Sequence, residues 1–151
     1  MSLFDWIIAI FFLSWLSYVN RKDIFTLFVR FLPYNWVKRV CSTYELVDWA
    51  LRDIKYKAGK EGHLASPEEF WKNKAGDYED YAFFVADILS YHGYSAKSLA
   101  YECGSVKCHT VAIVTKDNKI YYIFDLGNLI DIEATDFQNA IEKYIGNPKT
   151  K

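Results

Sequence analysis

His109 and Asp125 are the two residues of this chain best placed, by type and spacing, to do chemistry together. A carboxylate beside an imidazole fixes the tautomer that takes up a proton, which is the orienting half of a nucleophilic triad. The pair flanks Lys116-Asp117-Asn118, which reads as a turn because Asn tolerates left-handed backbone. With a three-residue loop at 116–118, His109 falls directly opposite Asp125, with β carbons about 4.5–5.5 Å apart on one face. A two-residue loop at Asp117-Asn118 would send the two side chains to opposite faces.

Such a pair needs a nucleophile, and a helix N-terminus is the natural seat for one. Its free N–H groups and dipole lower a thiol pKa and can hold an oxyanion. Gly76-Asp77-Tyr78-Glu79-Asp80-Tyr81-Ala82 reads as such a start. Asp77 is the N-cap of a helix over roughly 78–92, and Asp80 falls at N3. A Cys at position 78 would be activated there, but the chain carries Tyr78. A phenol is a poor substitute, with a pKa of about 10 and an oxygen far from the backbone.

Other residues offer less. Cys108 adjoins His109 and so points to the opposite strand face. Cys103 reaches the site only if the 103–108 loop folds back. His63 and His92 have no evident partner. Asp77, Glu79, Asp80 and His109 lack the spacing of a calcium or zinc site, so no metal or other cofactor is expected.

The elements that must position these residues follow from period and punctuation. Asp23 is a plausible N-cap for a helix over 23–40 that Pro33 ends or kinks. Ile24, Leu27, Phe28, Phe31 and Leu32 share one face of it. Ser42-Thr43-Tyr44-Glu45 has capping-box spacing and opens a helix over about 43–57. Ser66-Pro67-Glu68-Glu69 starts a short one carrying Phe70 and Trp71. Ala82, Val85, Ala86 and Leu89 form the buried stripe of the central helix, and Gly93 ends it. The period then turns alternating, giving strands over Ser95–Cys103, His109–Thr115 and Lys119–Asp125. Thr135-Asp136-Phe137-Gln138 reads as a capping box for a C-terminal helix stopped by Gly146 and Pro148. Helices, then an antiparallel sheet, then a helix make an α+β fold.

The segment from Pro67 to Leu126 resembles the transglutaminase-like superfamily, and within it the bacterial transglutaminase-like cysteine proteinase branch. The likeness rests on Gly76, Asp77, Glu79, Asp80, Tyr81 and Ala82 around the helix start. It extends to Gly93 after the helix, His109 early in a strand, and Asp125 closing Tyr121-Tyr122-Ile123-Phe124. The lead-in Pro67-Glu68-Glu69-Phe70-Trp71 also matches. The resemblance implies a papain- or transglutaminase-like core and thiol chemistry on amides. It also implies that Tyr78 stands where the catalytic Cys belongs, leaving His109 and Asp125 as a vestigial pair.

Composition bounds the rest. The 151 residues are 52% hydrophobic and 19% aromatic, with net charge −1. That suits one domain with a real core and leaves no electrostatic footprint for nucleic acid. Three cysteines, at 41, 103 and 108, favour free thiols in a reducing compartment, although Cys103 and Cys108 could bridge locally. Leu3 to Val19 is almost wholly apolar, about 25 Å long as a helix, slightly short of a ~30 Å hydrocarbon core. Arg21 and Lys22 follow it and would hold the rest on the cytoplasmic side. The alternative is burial of that run against protein.

The expectation is a docking or anchoring segment at 1–40 and a transglutaminase-like domain at 41–151. The whole would act as a catalytically silent structural or binding module, reaching a protein partner or a membrane through residues 3–32. A small assembly or virion component would fit. The alternative is a thiol-dependent amide hydrolase or transferase with a non-standard nucleophile, using Cys103, Cys108 or Tyr78.

Overall fold

In a computed structural model, Ser14, residues 20–58, 64–103 and 106–146 are described, with backbone alone for 102, 103 and 106–108. Leu3–Val19, apart from Ser14, and His63 therefore lie outside the described residues. In chain order the elements are α1 (Arg21–Arg30), α2 (Tyr34–Val40), α3 (Tyr44–Leu51), β1 (Lys55–Tyr56), α4 (Pro67–Asn73) and β2 (Ala75–Gly76). They continue with α5 (Tyr78–Tyr91), β3 (Ser95–Cys103), β4 (Val106–Thr115), β5 (Ile120–Asp125), β6 (Asn128–Glu133) and α6 (Phe137–Ile145). The fold is α+β.

α5 is the centre. Its C-terminus closes as expected: Gly93 takes φ +80°, its N–H donates to Ser90 O and that of Tyr94 to Leu89 O. The expected stripe is buried, together with Tyr81, Phe84 and Ile88. α5 is thus enclosed around most of its circumference, which an amphipathic reading understates.

Strands β3 to β6 form an antiparallel meander in sequence order. Alternation along the two inner strands separates two cores. Ala112, Val114 and Phe124 pack with Phe84, Val85, Ile88 and the helical layer. Val111, Ile113, Tyr121 and Ile123 pack with Ala140, Ile141 and Tyr144 of α6. Val29 and Val37, from within residues 1–40, are fully buried in the first of these cores.

Several expectations need correction. α3 ends at Leu51 rather than near 57, because the chain extends to pair β1 with β2. Lys55 N donates to Lys74 O, and Lys57 N to Gly76 O. β6 is an additional strand. α1 begins at Arg21 after Asn20; Asp23 lies inside its first turn and pairs with Arg52. Pro33 does separate two helices. The shared face of Ile24, Leu27, Phe28 and Phe31 is exposed, whereas Thr26 and Val29 turn inward. Thr26 Oγ1 donates to Trp49 O at 2.8 Å, which fixes α1's rotation against α3. The cap of α6 is Asp136, accepting from Asn139 N, one residue later than expected.

Candidate functional site

The site is built from one helix start, one hairpin and α6. At the helix start, Asp77 Oδ1 accepts from Glu79 N and Asp80 N, and Asp80 Oδ2 accepts from Asp77 N. This is the expected reciprocal box. Asp80 does more than cap: its Oδ1 accepts from Ala65 N at 2.7 Å, and the residue is buried. Gly76 is required just before the cap. A Cβ there would meet Phe70 Cδ2 at 2.6 Å and Asp80 Oδ2 at 2.8 Å.

The hairpin differs from the expected geometry. Thr115 pairs with Tyr121 and Ala112 with Phe124, leaving 116–120 between the last paired residues. The turn makes its own hydrogen bonds. Asp117 Oδ1 accepts from Lys119 N and Ile120 N, and Thr115 Oγ1 donates to Ile120 O. Asn118 takes φ +56°. The register is offset by two residues, so parity is kept. His109 and Asp125 share a face but sit diagonally, not opposed.

They meet nonetheless: His109 Nε2–H donates to Asp125 Oδ1. This leaves Nδ1 as the other imidazole nitrogen, the one free of the carboxylate. Both residues lie on the strand face that carries Val111 and Ile113, so α6 can reach them. Tyr144 Oη–H donates to Asp125 Oδ2 at 2.5 Å. Burial first, and then that bond to Asp125, push the Tyr144 phenol well above its ordinary pKa. Tyr144 was absent from the sequence-derived site. Its signal is its place one turn beyond Ala140 and Ile141 on the buried stripe of α6.

Tyr78 completes the arrangement as an aromatic ring. Its centroid lies 4.1 Å from that of His109 with planes at 72°, and 4.9 Å from Tyr56. Tyr101 packs edge-on to His109 from β3 at 5.7 Å. The structure therefore brings all three expected residues together, with the Tyr78 ring against His109.

The remaining candidates separate from the site. Cys41 is fully buried in the helical core, and burial pushes its thiol up to about 12. The side chains of Cys103 and Cys108 lie outside the described residues. His92 has a partner after all: its Nε2–H donates to Lys38 O at 2.7 Å. Asp77 and Asp80 spend carboxylate oxygens on backbone N–H groups. Among the described residues no cluster of three His, Cys, Asp or Glu is arranged to hold a metal ion.

A protein-family model described as a transglutaminase-like domain matches residues 27–149. That match begins inside α1. No curated protein matches the chain.

Proposed function

Since the chain belongs to the transglutaminase-like family, we propose that it is a catalytically silent member, used as a structural or binding module. One observation carries this: the ring of Tyr78 lies 4.1 Å from the ring of His109, at the helix position the family resemblance assigns to a thiol. An imidazole oriented by Asp125 is the form a general base takes, but a phenol is a weak nucleophile near neutral pH. Cys41 offers no substitute, being walled into the core with its thiol protonated. The His109–Asp125–Tyr144 chain then serves as polar packing that ties β4, β5 and α6 together.

The module docks through its N-terminal region, residues 3–32, on the cytoplasmic side. Exposed apolar residues on α1 and at its C-cap support this, with Phe31 78% exposed. No helix among the described residues is long and apolar enough to cross a membrane.

The test is an assay on amide and peptide substrates, with wild type, Tyr78→Cys and His109→Ala compared. Wild type is expected to show no turnover. Tyr78→Cys is expected to gain alkylation by iodoacetamide that depends on His109. Wild-type turnover abolished by His109→Ala would overturn the silent reading.

A further inference from the structure

Beside the exposed rings of α1 lies a feature that the docking reading does not use. A groove of about 350 Å³ is lined by Arg30, Phe31, Trp71, Lys72 and Lys74, with Glu68 also on its wall. None of the three cations forms an ion pair among the described residues. Lys74 takes left-handed backbone, φ +53°, at the C-cap of α4, and its Nζ sits 3.0 Å from the centroid of the Trp71 ring. Burial, then the nearby Arg30 charge, push its ammonium down to about 8. Two like charges converge here with Glu68 and Asp53 as the nearby carboxylates, neither within ion-pair distance of them, and an anion between the cations would relieve both. Asp23 and Asp53 line an adjoining hollow that also touches Arg30, where Asp23 is engaged by Arg52, and Asp53 lines a second, smaller one with Arg30 and Lys74.

We propose that this groove seats the phosphate of an anionic lipid headgroup, while Phe28 and Phe31 enter the interfacial layer. This rests on the docking half of the reading above and chooses the membrane for it. Charge complementarity points to a phosphate, and adjacent rings more than half exposed point to a lipid that carries it. A soluble phosphate would make no use of those rings. A protein surface fitted to them would be poor in lysine at its core. In sequence, the apolar run ending at Val19 leads directly into α1.

The full chain should be partitioned onto vesicles of phosphatidylcholine alone and onto an equal mixture with phosphatidylglycerol. The mixture should bind more tightly. Arg30→Gln/Lys74→Gln should lower binding to the mixture about thirtyfold, at roughly a tenfold factor per 1.4 kcal/mol and about 1 kcal/mol per charge, and leave binding to phosphatidylcholine unchanged. Phe31→Ser should weaken both.

Five results would overturn the headgroup site. One is an equal loss from Arg21→Gln/Lys22→Gln, whose cations lie over Trp49 instead; that would reduce the effect to diffuse charge. Another is competition by inorganic phosphate at low millimolar concentration, which would make it a soluble-anion site. The third is a dimer dispersed by Phe31→Ser, which would give the face to a second copy. Absence of binding to either vesicle would also remove the membrane from the docking reading, whereas retained binding with no anionic preference would remove only the groove.

Discussion

Around Tyr78, polar groups meet partners inside the chain: His109 and Tyr144 share Asp125, and Asp80 divides its oxygens between two backbone amides. Around Arg30 the opposite holds, with cations that form no ion pair among the described residues and aromatic rings facing outward. The first region looks like an active site and is closed on itself. The second resembles no catalytic motif and is open. The silent reading proposed above assigns contact with partners to the open surface rather than to the closed one.

Asp80→Ala strikes the closed region hardest. It leaves the Ala65 and Asp77 amides without their acceptor and unmakes the capping box, and should cost about 3 kcal/mol in urea unfolding. A loss below about 1 kcal/mol would mean that water replaces the carboxylate and the region is less closed than described. Tyr144→Phe removes one donor from Asp125 and should cost about 1–2 kcal/mol by the same measurement. Its main use is to show that the pair is structural: the variant should lose stability without any gain of turnover.

Lys74→Met tests the open region and should have the smallest effect. Native Lys74 releases its proton near pH 8, whereas an unfolded lysine does so near 10.4. Between those values the unfolded chain holds more protons, so this group makes stability rise with pH. The difference in Tm between wild type and Lys74→Met should therefore move in favour of wild type from pH 8 to 10.5. A flat difference would mean that Lys74 is satisfied and the groove is not an unbalanced cationic site.

The two regions were also unequally legible in the sequence. The helix start at 77–80 was readable because capping is a local code: an acid at the cap and another three positions on, ahead of an apolar run. The meeting of His109 and Asp125 was readable because strand parity survives a shift of two residues, even though the directly opposed geometry did not. Tyr144 was hidden because its bond joins elements 19 residues apart through a register no local pattern sets. Which way the apolar face of α1 turns was hidden for a related reason. Apolar residues at helical spacing mark a shared face but not its direction, and Thr26, a single hydroxyl bonded to Trp49 O, decides which side turns in. β6 was missed because Asn128–Glu133 mixes charge with its apolar positions, as an edge strand does.

Asp80 joins two pieces of chain 15 residues apart in sequence through one carboxylate. Fraying of the first turn of α5 and detachment of the segment before α4 are therefore one opening event, not two. The Ala65 and Asp77 amides should exchange with deuterium at matched rates across temperature, and Asp80→Asn should speed both together.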